Sequence, residues 1–136
     1  NFVVGKGQLL RDGTDVTIVS TGHMVYECLE AAKELENQGI SAQVLNIHTI
    51  KPIDRELIVA CARKTNYIVS VEEHQIMGGL GSVVAEELAK NYPCKMEFMG
   101  MPDCFGESGT PQQLLRKYEL DSLSITKRIL HTIKNK

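Results

Sequence analysis

The 136-residue sequence has no tryptophan and only four tyrosines, so the aromatic pair that usually sandwiches a flavin is hard to supply. It has no excess of charge either: 15 basic and 17 acidic side chains leave a formal net charge of -2. A broad electrostatic footprint for nucleic acid or an anionic membrane is therefore lacking. No apolar run approaches the ~20 residues that a membrane-spanning helix requires. The opening stretch, residues 1–6, shows neither the basic start nor the apolar run of a signal peptide. Cys28, Cys61, Cys94 and Cys104 form no C-x-x-C pair, and His23, His48, His74 and His131 are scattered, so no metal site is expected. Cys28 and Cys61 fall inside apolar helical patterns. These cysteines read as free thiols of a reducing, cytoplasmic protein.

What is present is ordinary for a globular chain. Hydrophobic residues make up 43% and charged residues 24%, and the length fits one domain with a real core. The chain starts with Asn1 and its first residues read like the end of a linker. Residues 1–136 are thus expected to be one domain, with 1–6 a linker remnant, cut or processed from a longer polypeptide.

Strand and helix patterns alternate. Residues 8–11 and the β-branched run Val16-Thr17-Ile18-Val19 flank an Asp12-Gly13 turn and are expected to pair as a hairpin. A helix follows with Val25, Leu29 and Ala32 on its apolar stripe, stopping at Gly39. Residues 42–47 read as a strand. Pro52 or Asp54 starts a helix that buries Ile53, Leu57, Ile58 and Cys61, and residues 67–71 form a near-continuous apolar strand, as a doubly covered strand should. Gly78-Gly79-Leu80-Gly81-Ser82 opens a third helix carrying Leu80, Val83, Val84 and Leu88, and residues 96–99 give a last strand. Thr110-Pro111-Gln112-Gln113 has the form of a capping box before a short helix with Leu114, Leu115 and Tyr118. Ser122 or Ser124 begins a final helix with Ile125, Ile129 and Ile133 at every fourth position. Short connections between alternating elements imply parallel pairing. The expected fold is a three-layer α/β domain, with a mostly parallel five-stranded sheet and one antiparallel edge strand.

Ligands of such sheets gather beyond the carboxyl ends of the strands, where three segments fall. Ser20-Thr21-Gly22-His23 could hold an anion at a helix start, or be a tight turn with a hydroxyl cap; it is neither a dinucleotide fingerprint nor a P-loop. Glu72-Glu73-His74, running into the glycines at 78, 79 and 81, is the most distinctive patch. The acids could raise the His74 pKa and orient its ring for proton transfer, although adjacent strand residues point to opposite faces. The plainer reading has an acid cap the helix start, while the glycines let the loop pack closely on a partner subunit or domain. The third segment, residues 101–109, is a loop whose Phe105 could clamp another domain or fold over its own core. Cys104 has no nearby base to make it a nucleophile.

Taken together and in order, Thr49-Ile50-Lys51-Pro52-Ile53-Asp54, Val71-Glu72-Glu73-His74, Gly78-Gly79-Leu80-Gly81-Ser82, Pro102-Asp103, Phe105-Gly106 and Ser108-Gly109 resemble the transketolase C-terminal domain. Leu114-Leu115, Tyr118 and Leu120 resemble its closing segment. The Glu-Glu-His and Phe-Gly-Glu-Ser-Gly sequences look most like transketolases whose halves are separate polypeptides. Ile76-Met77-Gly78-Gly79 is also similar to 1-deoxy-D-xylulose-5-phosphate synthases, which more often have Asn where His74 stands.

The resemblance implies transfer of a two-carbon ketol unit between sugar phosphates of the pentose phosphate pathway, in a homodimeric enzyme using thiamine diphosphate and Mg. It implies that pyrimidine-binding and diphosphate-binding domains or subunits hold that cofactor. Their Gly-Asp-Gly motif does not occur in this chain, where Arg11-Asp12-Gly13 is only a turn. No catalytic, cofactor-binding or metal-binding residue is carried over, and the isolated chain is expected to be inactive. Glu73, His74, Gly78, Gly79, Gly81 and Ser82 are carried over as a candidate interface or anion-site loop. Two other readings remain: a deoxyxylulose phosphate synthase C-terminal domain, and a flavodoxin-like nucleotide-binding module. A signalling receiver is disfavoured, because Thr21-Gly22-His23 stands where an acidic metal pair would be needed.

Overall fold

The computed structural model describes residues 6–22, 24–48, 53–72, 79–100, 111–117 and 119–135. In chain order the elements are β1 (Gln8–Arg11), β2 (Val16–Ser20), α1 (Met24–Asn37), β3 (Ala42–Asn46), α2 (Arg55–Thr65), β4 (Tyr67–Glu72), α3 (Leu80–Asn91), β5 (Lys95–Gly100), α4 (Pro111–Lys117) and α5 (Ser122–Lys134). The strands form one sheet in the order β1-β3-β2-β4-β5. Every pairing is parallel except that of β1 with β3.

Burial explains why β2 is central. All five of its residues are buried, and Ile18 lies opposite Val44 on one side and Val69 on the other. Side chains alternate between the two faces of the sheet. Val16, Ile18, Val44, Val69 and Met99 meet α1 and α5, while Val19, Leu45 and Ile68 meet α2 and α3. Each such fully buried aliphatic side chain is worth about 1.5–3 kcal/mol, so the two clusters hold three layers together.

The expected hairpin is not formed. β1 pairs antiparallel with β3, which lies between it and β2. The connecting turn bonds to the start of β3: Thr14 N donates to Ser41 Oγ, Asp15 N to the Ser41 carbonyl, and Ser41 N to Asp15 Oδ2. A Cβ on Gly13 would come within 2.4 Å of the Ala42 backbone, so the glycine lets the turn cross the end of β3 at contact distance. Both edges of β2 are thereby left to parallel partners.

The α1 stripe is also displaced from the expected one. Met24, Cys28, Ala31, Ala32 and Leu35 are buried, whereas Val25 and Leu29 are half-buried flanks. In α2, Ile58 and Cys61 are buried as expected and Ile53 and Leu57 pack at the margin. Helix α3 buries Leu80, Val84 and Leu88 but leaves Val83 half-buried, and α5 buries Ile125 and Ile129 with Ile133 at the margin. Pro52, Thr110 and Tyr118 lie outside the described residues.

Candidate functional site

The four parallel strands run in the same direction, so Ser20, Asn46, Glu72 and Gly100 end at one edge of the sheet. The chain leaves β2 for β3 on one side by way of α1, then crosses by way of α2 to β4 on the other side. The gap between β2 and β4 is therefore the switch point at which such sheets bind ligands. Ser20 and Glu72, the last residues of β2 and β4, border this gap.

Glu72 is 4% exposed, and both carboxylate oxygens are committed. Oε1 accepts the Leu80 N–H at 2.8 Å and Oε2 the Gly81 N–H at 2.7 Å. The N-cap of α3 is Gly79, which has no side chain to offer, so an acid from the preceding strand satisfies the free donors of the helix start. The positive end of the helix dipole favours a carboxylate there. Gly81 makes the approach feasible: a Cβ would lie 2.6 Å from Ser70 Oγ and 3.0 Å from Phe98 Cδ2. This is the acid cap expected from sequence, and Glu72 supplies it.

Two more helix starts are held in the same way. Asp54 Oδ1 accepts from Leu57 N at 3.2 Å and Oδ2 from Gly7 N at 2.9 Å, which ties the entry of β1 to α2. Glu27 Oε1 accepts from Ser122 N at 2.8 Å, although the N-cap residue Asp121 makes no side-chain cap bond itself. Local sequence gave a signal for Asp54, three residues before the N–H that it caps. It gave none for Glu27, whose partner is 95 residues away.

Of the candidate loop residues, Gly79, Gly81 and Ser82 are described; Glu73, His74 and Gly78 are not. His23, Cys104 and Phe105 also lie outside the described residues. At the Ser20–Gly22 turn, Gly22 adopts φ 63 with open space where a Cβ would sit, a left-handed position that favours glycine. Burial pushes the Cys28 thiol up to about 12, against a smaller lowering by the Ser20 hydroxyl, and that of Cys61 up to about 11. Neither sulfur has appreciable thiolate character at neutral pH. Among the described residues no group of three His, Cys, Asp or Glu side chains is placed to hold a metal ion.

This geometry defines a doubly wound α/β domain whose described edge acids serve its own helix starts. The chain matches the family described as "Transketolase, C-terminal domain" over residues 5–125, and it belongs to that family. It is 48% identical over 126 residues to the 6-deoxy-6-sulfo-D-fructose transketolase subunit SqwH of Clostridium sp. (strain MSTE9), covering 93% of this chain and 39% of that protein. It is 41% identical over 128 residues to the 1-deoxy-D-xylulose-5-phosphate synthase of Trichormus variabilis (strain ATCC 29413 / PCC 7937), covering 93% of this chain and 20% of that protein. A solved split gene transketolase, described as an inactive beta4 tetramer, superposes with a TM-score of 0.90 at 48% identity, covering 96% of this chain and 43% of that one. The chain therefore spans less than half the length of each of these relatives. The parallel strand order is also that of flavodoxin-like modules, so it is the family match and not the topology that separates those readings.

The described residues do not fit thiamine diphosphate with its metal. The α3 start that could cradle a diphosphate is filled by the Glu72 carboxylate, which would repel an anion at that place.

Proposed function

We propose that this chain is the C-terminal assembly part of a thiamine-diphosphate-dependent transketolase. The complete enzyme transfers a two-carbon ketol unit between sugar phosphates, and the cofactor and Mg are held by pyrimidine-binding and diphosphate-binding domains or subunits. The observation that carries this reading is the bidentate seat of Glu72 on the start of α3. The most conspicuous acid of the switch point is already used for structure, in a family defined by its place in a larger enzyme.

Glu73, His74, Gly78, Gly79, Gly81 and Ser82 follow Glu72 in sequence and are assigned to contact with a neighbouring domain or subunit. A homodimeric, cytoplasmic enzyme of the pentose phosphate pathway is the corresponding whole. The buried thiols of Cys28 and Cys61 suit a reducing compartment. The higher identity to a transketolase subunit, 48% against 41%, favours ketol transfer between sugars over deoxyxylulose phosphate synthesis.

Calorimetric titration of the purified chain with thiamine diphosphate and Mg tests this reading. The expected result is no binding heat, and tight stoichiometric binding would refute it.

A further inference from the structure

Strand β1 lies at one edge of the sheet. Its single strand neighbour is β3, and their register slips between Leu9 and Arg11. None of its four side chains belongs to either hydrophobic cluster, and Leu9 and Leu10 are 47% and 41% exposed within this chain. Strands β2 and β4 bury every residue, and β3 buries four of five. Burial of apolar side chains, which holds the other inner strands, therefore does little for β1.

What fastens β1 is polar and sits at its two ends. At the entry, Gly7 N donates to Asp54 Oδ2 at 2.9 Å. A Cβ on Gly7 would lie 2.6 Å from Ile47 Cδ1 and 3.0 Å from Leu57 Cδ2, so the glycine lets the chain enter flush against the domain. Asp54 is 8% exposed, and its other oxygen caps α2, so this clip is anchored in the domain itself. At the exit, Arg11 pairs with Glu36 near the end of α1, and Asp12 with Lys64 in the last turn of α2. One exit clip thus reaches a helix on each face of the sheet. Beyond them the turn is pinned to β3, where Thr14 N and Asp15 N bond to Ser41.

We infer that β1 is a strap that leaves the sheet and returns as a unit, swinging on the pinned turn at residues 13–15, while the four parallel strands stay closed. Local opening is favoured where few apolar contacts are buried, and exposed ion pairs such as the two exit clips are weak. With the clips at both ends and no apolar anchor between them, release of one end leaves the rest of the ladder unsupported. The strap then comes away whole instead of fraying residue by residue. When it opens, Asp54 keeps the Leu57 N–H, so the start of α2 is not unravelled with it. The direction in which the chain enters at Gly7 is thereby set by a reversible clip and not by the core. This device does not depend on the proposed activity.

Native-state hydrogen exchange of the 136-residue chain, read by NMR in low urea, tests it. The Gly7 amide and the β1 amides bonded to β3 should share one opening, at least about tenfold more frequent than that of Ile18 and Val69 and far less dependent on urea. Arg11→Gln combined with Asp12→Asn removes the charge from both exit clips and keeps an oxygen for the Gly13 N–H. This variant should speed exchange at Gly7, at the opposite end of the strap, on the order of fivefold. Gly7 exchange with the urea dependence of Ile18 and Val69 overturns the inference, because β1 would then open only with the whole domain. So does a Gly7 amide without protection, or one unmoved by the exit substitutions, which would mean that the entry frays by itself.

Discussion

The two ends of strand β4 hold acids in opposite ways. At the carboxyl end Glu72 binds only backbone, the N–H groups of Leu80 and Gly81. At the amino end Glu97 of the neighbouring β5 binds only side chains: Tyr67 Oη donates to Oε1, Thr132 Oγ1 donates to the same oxygen at 2.8 Å, and Arg128 Nε donates to Oε2 at 3.2 Å. A few residues along β2, Thr17 Oγ1 meets Thr65 Oγ1 at 2.8 Å and accepts from Gln43 Nε2 at 3.0 Å. At the amino edge two separate sets of side-chain hydrogen bonds, one on each face, thus pin α5 and α2 to the sheet. At the carboxyl edge the described acids Glu72 and Asp54 are consumed by helix starts. The contrast leaves the Glu72 carboxylate, at the edge that binds ligands in so many α/β proteins, already occupied by the start of α3.

Removing the backbone-bound acid should have the largest effect. Glu72→Ala leaves two donors at the α3 start without their acceptor and should cost about 3 kcal/mol, read as a lowered urea midpoint. A loss no larger than that of an exposed glutamate such as Glu86 would break the comparison. Tyr67→Phe removes one of three donors to Glu97 and should cost about 1.5 kcal/mol, less because Thr132 and Arg128 remain. Gly81→Ala sharpens the carboxyl-edge argument. Alanine is better than glycine in a helix by about 1 kcal/mol, but its Cβ would crowd Ser70 and Phe98. A net loss of about 1 kcal/mol is expected, and a gain would show that the approach of α3 to the sheet is not tight.

The smallest effect is a dependence on pH. Burial raises the Glu97 carboxyl, but the hydrogen bonds from Tyr67, Thr132 and Arg128, with the Arg128 charge, outweigh it and hold the group below the ordinary glutamate value. The unfolded chain therefore binds the proton first. The stabilisation is present above the ordinary value and fades as pH falls through the lowered one. Denaturation across acid pH should show the advantage of wild type over Glu97→Gln shrinking in that window. A constant advantage would mean that the network does not depend on the charge.

Much of this was legible in the sequence because it is local. Strand-helix alternation, the apolar run at 67–71 and the glycines before α3 each announce their element within a few residues. What escaped reading is what depends on distant partners. The Asp12-Gly13 turn suggested a hairpin, but its hydrogen bonds go to Ser41, which no local pattern reveals. On α1 the stripe was expected on Val25, Leu29 and Ala32, yet the face turned to the sheet is that of Met24, Cys28, Ala31, Ala32 and Leu35, with Val25 and Leu29 at its flanks. An acid cap at the start of α3 was expected, but that Glu72 supplies it through Leu80 and Gly81 follows from where α3 starts relative to the end of β4.

The most direct test of the central claim is a ketol-transfer assay run on this chain alone, and then on the chain combined with polypeptides carrying the pyrimidine-binding and diphosphate-binding domains. No turnover alone and turnover on combination is the predicted result. Sustained turnover by the chain alone, in the presence of thiamine diphosphate and Mg, would contradict it.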